Sequence, residues 1–247
     1  SLRRQRQMCI RDRYNTDTVD SGYGVAANSA LDMGTGDFTF ECWALTTALP
    51  TTNAFQTSAG GYQAIFATGP TNSATGSQMY IGTTNLYFDI SSDGSGPINV
   101  AHNMIAGQWY HIAVTRSSNT FRAFINGVLL QTGTSTSSFV NGYGYGIMRA
   151  EPVGGFTGSW WRGYISNFRA IKGTAVYTAA FTPPTIPLTA ITGTSLLVAQ
   201  SNRFIDNSTN NFTISQGGTP AQISNAIPFT PSSSYSTYGS GYFNGTT

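Results

Sequence analysis

Only 9% of the 247 residues are charged, and the chain holds a single lysine, Lys172, and two glutamates, Glu41 and Glu151. Exposed helix faces are ordinarily built from Glu, Lys, Arg and Ala, so there is little here from which to make one. Hydrophobic residues nevertheless reach 40% and aromatics 13%, with 28 glycines and 10 prolines. Aromatics at that level supply enough apolar surface to offset the entropy of ordering the chain, which excludes a disordered tail. Low charge, many rings and many turn residues together specify an all-β protein large enough for one sizeable domain.

The strand pattern agrees. GDFTFECWAL (36–45) alternates, with Phe38, Phe40 and Cys42 on one face and Thr39, Glu41 and Trp43 on the other. YQAIFATG (62–69) is a second strand, and MYIGTTNLYFDIS (79–91) reads as a hairpin. WYHIAVTR (109–116) and FRAFINGVLL (121–130) follow, and WWRGYISNFRAI (160–171) closes the series. Asn126-Gly127 signals a type I′ turn, in which both central residues take positive φ. A one-turn helix is expected near Ala175–Tyr177. FTPPTIPL (181–188) is excluded from a central strand because proline donates no ladder hydrogen bond. Many short strands joined by regular turns predict a two-sheet antiparallel sandwich with Phe38, Phe40, Val114, Ile125 and Ile165 in its core.

Residues 1–13 stand apart. Five of the 12 basic residues, Arg3, Arg4, Arg6, Arg11 and Arg13, lie there with Asp12 as the one acid, so the rest of the chain carries seven bases and nine acids. Without clustered Lys and Arg in the body, nucleic acid is not expected as a partner. No apolar run approaches the roughly 18 residues of a membrane-spanning helix, so no membrane partner is expected. The string SLRRQRQMCIRDR resembles translated sequencing-library adapter, and is expected to be a non-native leader that contributes nothing to folding. Cys9 and Cys42 would pair only by tying this leader to the body, so no disulfide is expected.

Three strings carry a family resemblance: GTGDFTFECW, WYHIAVTRSSNTFRAFINGVLL and WWRGYISNFRAIKGTAVYTAAFTPP. Together, over about residues 15–190, they resemble the laminin-G-like members of the concanavalin A-like lectin/glucanase superfamily. That resemblance implies a jelly-roll sandwich serving carbohydrate or protein recognition. Residues 195–218 and 228–247 resemble the opening of a further domain of the same kind, as in tandem arrays of marine bacteriophage and bacterial surface proteins. The expected organisation is a leader (1–13), a sandwich (14–190) and the opening segment of the next repeat (191–247), docked on the sandwich. On that reading the chain is a fragment of an array from environmental DNA. A stiff linker, 181–194, would span about 40 Å, enough for the segment to reach back across its own body. The expected setting is a virion or an extracellular surface.

The chemistry-bearing residues do not assemble into an enzyme. Glycosidases on this fold need two carboxylates roughly 5–5.5 Å apart for retention, which on a strand means acids at i and i+2 or i+4. Glu41 has no acid at 39, 43 or 45, Glu151 precedes Pro152, and Asp89 with Asp93 falls in a turn. His111 reads as a structural histidine, and His102 lacks the partners of a zinc site. No cofactor is expected, calcium alone being left open: Asp17 with Asp20, Asp89 with Asp93, and Asp206 with Asn207 and Asn210 are candidates. Turn capping accounts for the same residues, and calcium demands six to eight oxygens.

Sugars are recognised by flat rings against C–H patches, with amides and carboxylates for the hydroxyls. The candidate glycan-binding residues are Tyr143 and Tyr145, which alternate with glycines in NGYGYG, Trp160, whose parity is opposite to that of Trp161, and Tyr62, which follows Gly60-Gly61. The partners expected are a glycan or host cell-surface polymer and neighbouring repeats of the same polypeptide. Three functions remain: a non-catalytic carbohydrate- or surface-binding module of a phage structural or adhesion protein, a purely structural array repeat, and a glycoside hydrolase, which the missing carboxylate pair disfavours.

Overall fold

The computed structural model of the chain describes residues 13–15, 21–54, 60–69, 76–90, 96–139, 142–149, 159–200, 205–218, 222–223 and 228–229. In chain order the strands are β1 (Arg13–Asn15), β2 (Ser21–Val25), β3 (Phe38–Thr46), β4 (Gln63–Ala67), β5 (Gln78–Ile81), β6 (Asn85–Asp89), β7 (Ile98–Ala101) and β8 (Trp109–Ser117). They continue with β9 (Thr120–Ile125), β10 (Val128–Thr134), β11 (Tyr145–Ile147), β12 (Gly163–Lys172), β13 (Thr194–Val198), β14 (Ile214–Gly218) and β15 (Gln222–Ile223). Among the described residues the one helical element is a 3-10 turn at Ser29–Leu31, capped by the side chain of Asn28.

One sheet runs β10-β9-β8-β3-β12-β1-β15, and β13 shares the far edge of β12 with β1. The other runs β14-β2-β11-β4-β5-β6-β7. All pairings are antiparallel, so the expected two-sheet jelly-roll sandwich is the observed fold. The alternation in β3 is the reason. Phe38, Phe40, Cys42 and Ala44 point between the sheets and are fully buried, as are Val114 and Ile165, with Ile125 close to it. Phe40 meets Phe66 at 4.5 Å and stacks on Phe139 at 5.3 Å, while Phe38 meets Phe121 edge-on at 5.8 Å. Each such ring contributes about 1.5–3 kcal/mol by burial. At the β9–β10 turn Asn126 and Gly127 have φ of 49° and 76°, the paired positive values of a type I′ hairpin. Cys42 is a free, buried thiol; Cys9 and the rest of the leader before Arg13 lie outside the described residues, while Arg13, expected to be the leader's last residue, instead pairs with Ile165 and Ile223 in β1.

The opposite parity of β3 is also buried: Thr39 and Glu41 have no exposure. A strap, residues 173–193, covers them. It leaves β12 at Gly173, crosses the outer face of the eight-stranded sheet, and returns to the same point, where the Lys172 N–H donates to the Gly193 carbonyl at 2.8 Å. Polar contacts fix its near half: Thr39 Oγ1 donates to the Thr174 carbonyl and accepts the Val176 N–H, and Thr115 Oγ1 donates to the Tyr177 carbonyl. The one-turn helix expected at Ala175–Tyr177 does not form, because these backbone groups are bound across to β3 and β8 instead. The segment 181–194 carries the chain back from the β9–β10 turn, where the Phe181 N–H donates to the Gly127 carbonyl, to the edge of β12. β13 then pairs immediately with β12, Ile171 opposite Thr194. β14 lies on the edge of β2, β15 on the edge of β1.

The strap is held above all by Glu41. Its carboxylate accepts from Arg169 Nε (2.9 Å) and Nη2 (2.5 Å), from His111 Nε2 (3.1 Å) and from the Tyr177 hydroxyl (2.8 Å). An ionised carboxylate only accepts, so His111 is the donor in that pair. Tyr177 stacks on Phe181 at 3.6 Å, and Phe181 meets His111 and Phe124 edge-on. Burial alone would raise the Glu41 pKa, but the His111 hydrogen bond and the charges of Arg169 and His111 outweigh it and hold it below its ordinary 4.5. A carboxylate with a lowered folded pKa stabilises the protein above its unfolded pKa and loses that contribution as pH falls through the folded value. Glu41→Gln, which leaves the Arg169 guanidinium buried without its counter-charge, is expected to cost about 3–5 kcal/mol in urea denaturation at pH 7. The variant's stability deficit should shrink as pH is lowered below 4.5, where the wild-type carboxylate protonates. An undiminished deficit would show that the charge is not what matters.

Candidate functional site

The four ring residues singled out in the sequence go to three different places. Tyr145 is fully buried between the sheets, and its hydroxyl donates to the Leu31 carbonyl at 2.6 Å. It presents no face to a ligand, which corrects the expectation. The flanking glycines do not expose it, because β11 pairs on both edges and Tyr145 shares its inward parity with Ile147. Tyr143, two residues earlier, is 47% exposed at the end of β4 marked by Ala67. Trp160 and Tyr62 belong to the opposite end of that strand. Tyr62 precedes β4, the Ala64 N–H donates to the Ser159 carbonyl at 3.0 Å, and Trp160 is half-buried beside it. Trp161 is in the core, as the parity of the pair requires. The five residues of β4 separate the two ends by about 17 Å.

Around Tyr62 the outward face of the seven-stranded sheet carries a cluster of rings. The inward residues of the β5–β6 hairpin are Met79, Ile81, Leu86 and Phe88, which leaves Tyr80 and Tyr87 to face outward as cross-strand partners. Their rings stack at 4.8 Å with 7° between planes, and Tyr62 meets both edge-on at 4.8 and 5.5 Å. Tyr80 is buried beneath, while Tyr62 and Tyr87 remain partly open. At the tip of the hairpin Gly82 lets the groups converge. A Cβ there would strike Asn53 Oδ1 and come within 3.0 Å of Tyr62 Cε1 and 3.1 Å of Tyr87 Cε2. Asn53 Oδ1 accepts from Thr83 N and Oγ1, so its orientation is set. On the other flank Asn99, the cross-strand partner of Tyr87, accepts the Asn85 amide at 2.6 Å, and its backbone N–H is held by Gln131 Oε1. Burial raises the pKa of Tyr62, with the nearby Tyr87 and Asp89 adding to it, and burial raises Tyr80 as well. These phenols are therefore neutral at physiological pH. The result is a corner with two ring surfaces and a rim of amides and hydroxyls.

Among the described residues no pair of carboxylates stands near it. Asp89 is buried, accepts from the Tyr80 hydroxyl at 2.8 Å and from Gln78 Nε2 at 3.1 Å, and Asp93 lies outside the described residues. Glu41, with His111 and Arg169, is sealed beneath the strap on the other sheet, and Glu151 lies outside the described residues. Of the calcium candidates, Asp206 accepts the Leu197, Ser208 and Phe212 N–H groups and the Ser208 hydroxyl, which caps the edge of β13. Asp17 and Asp20 lie outside the described residues. Among the described residues no group of three or more His, Cys, Asp or Glu side chains is placed to hold a metal.

Sequence reading reached Tyr62 but missed Tyr80, Tyr87, Asn53 and Asn99. The signal was present in the hairpin 79–91, where those two tyrosines sit at the parity opposite to Met79, Ile81, Leu86 and Phe88. His102, set aside as partnerless, supports the same hairpin. Its Nδ1 accepts the Met104 N–H, so Nε2 carries the proton and donates to the Gly82 carbonyl at 3.2 Å. Burial lowers its pKa below 6.5, the Gly82 hydrogen bond opposing only in part. Neutral His102 therefore stabilises the fold fully above pH 6.5, and that contribution declines as pH falls through the window below it. Thermal stability followed from pH 7.5 to 5 should fall in the wild type and fall less in His102→Gln. Parallel curves would refute the role given to His102.

Comparison with known proteins agrees with this architecture. The sequence profile Laminin_G_3, described as concanavalin A-like lectin/glucanases superfamily, matches residues 19–186. Among solved structures, a candidate carbohydrate-binding protein of Bacteroides ovatus superposes with a TM-score of 0.60 at 15% identity, covering 89% of this chain and 61% of that one. Mouse laminin α1 domains LG4-5 give 0.46 at 12% identity over 69% of this chain and 44% of that one. The SAP-like pentraxin of Limulus polyphemus gives 0.42 at 15% identity over 64% and 78%. The chain thus spans about three fifths of the length of the Bacteroides protein. No curated protein sequence matches it.

Proposed function

This chain belongs to the Laminin_G_3 family of the concanavalin A-like lectin/glucanases superfamily, and from that premise we propose that it is a non-catalytic carbohydrate-binding module whose ligand surface is the Tyr62–Tyr87 corner. The observation that carries the reading is the convergence of Tyr62, Tyr87 and Asn53 over Gly82, with Asn85 and Asn99 alongside. A pyranose offers one face of C–H groups and a rim of hydroxyls. Partly open rings beside fixed amides match both, and a few convergent polar groups on an apolar surface are what orient a small ligand. Trp160, near the Tyr62 end of β4, and Tyr143, at the far end, are the further contacts we assign to a longer glycan. The occupied state of Asp89 and the burial of Glu41 support binding without cleavage. The partner we infer is a glycan or cell-surface polymer. The virion or cell-surface setting, with neighbouring repeats as further partners, rests on the resemblance of residues 195–247 to the opening of another repeat.

Glycan arrays and affinity electrophoresis test the assignment. The wild type should be retained by at least one glycan, and Tyr87→Ala should weaken that retention by about tenfold or more, which corresponds to about 1.4 kcal/mol. Gly82→Ala should do the same through the collision of its new Cβ with Asn53, Tyr62 and Tyr87. Retention untouched by both changes would move the site elsewhere. Release of reducing sugar by the wild type, abolished by Glu151→Gln, would make the protein a hydrolase.

A further inference from the structure

From Tyr14 to Thr115 the sequence contains no lysine or arginine, while the same run holds seven acids. Strands β2 to β7 fall inside it, and so does every residue of the Tyr62–Tyr87 corner. The other described cations lie outside that run of sequence. Arg13, Arg116, Arg122, Arg169 and Lys172 lie on strands of the eight-stranded sheet. Arg162, just before β12, lies beside Gln63, the residue after Tyr62, to whose Oε1 its backbone N–H donates at 3.2 Å, but its guanidinium is buried and donates to the Leu49 carbonyl at 2.9 Å. Arg149 is buried with its stem over Gly22 on β2, four strand positions from β6. At about 4.8 Å per strand that is about 19 Å from Tyr87 on β6, beyond two Debye lengths at physiological salt, and about 10 Å from β4, which Tyr62 precedes. The stretches 55–59, 70–75, 91–95 and 150–158 contain only Asp93 and Glu151 as charged residues, and the remaining five cations, Arg3, Arg4, Arg6, Arg11 and Arg203, lie outside the described residues.

We propose that the Tyr62–Tyr87 corner selects uncharged glycans and rejects those bearing uronate, sialate or sulfate, an inference that rests on the carbohydrate-binding reading above. An anionic sugar gives up hydration on binding, and the protein must replace it with a cation or charge-assisted donors. Here the rim offers neutral amides, hydroxyls and phenols. The one described charge beneath it is the buried carboxylate of Asp89, which repels an anion. Its influence reaches the rim, because it contributes to the raised pKa of Tyr62. Neutral hydroxyls make no such demand, since amides such as those of Asn53 and Asn99 match them without a change in charge.

The experiment is titration calorimetry of the full chain against two panels at about 10 mM and about 150 mM salt. One panel holds neutral mannan, xylan, galactan and glucan oligosaccharides, the other alginate, polygalacturonate and α2,3-sialyllactose. At least one neutral glycan should bind, with an affinity that changes by less than about twofold between the two salts, and the charged panel should not bind. Ala101→Lys sets a cation on the outward face of β7, opposite Asn85. It should confer alginate binding that is lost at the higher salt, while neutral affinity is retained. Wild-type binding of a charged glycan that weakens with salt would overturn the selectivity and leave the glycan site standing. Binding of neither panel would remove the carbohydrate reading and this inference with it.

Discussion

A carboxylate without exposure has to be neutralised where it stands, and Glu41 in the middle of the eight-stranded sheet imposes that condition on its surroundings. Arg169 answers from β12, His111 from β8 and Tyr177 from the strap, so one acid ties three strands and their cover into a single register. Removing Glu41 or Arg169 strands the other's charge in a dry interior, which costs more than an ordinary surface ion pair contributes. The Tyr177–Phe181 stack and the Thr39 and Thr115 contacts then complete a layer that closes this part of the sheet to solvent. Enclosure makes Glu41, His111 and Arg169 structural.

The seven-stranded sheet follows a different logic. Among the described residues its outward face carries no strap at the β5–β6 hairpin, and the rings there stack on one another instead. Tyr80 forms a buried base on which Tyr87 lies, and Tyr62 closes the group from the neighbouring segment. His102 and Asn53 fix the turn that brings them together. Pre-set geometry of this kind lowers the ordering cost of binding, and it needs no ionised group to do so.

Much of the fold was legible because alternation in β3, β8 and β12 has one physical cause, a buried face on a pleated strand. The core positions Phe38, Phe40, Val114, Ile125 and Ile165 follow from it, as does the Asn126-Gly127 hairpin from its paired positive φ. The candidate site was less legible. Tyr145 was read from its glycine neighbours alone, but β11 is an interior strand, and strand neighbours decide burial there. Tyr80 and Tyr87 become a pair only once the register of β5 against β6 is known, and sequence does not state register. The helix expected at Ala175–Tyr177 failed for a related reason, since its backbone groups had partners on β3 and β8 that no local pattern reveals.

The strap leaves and rejoins the sheet at one hydrogen bond, between Lys172 and Gly193. Its ends are therefore held together by the β12–β13 ladder whatever lies between them. Loop-closure entropy grows only logarithmically with length, about 0.6 kcal/mol per doubling. Relatives sharing this ladder are thus free to lengthen the strap, or to graft a small module into its Pro183–Pro187 stretch, without shifting a strand. The sandwich carries at this point a natural port for insertion.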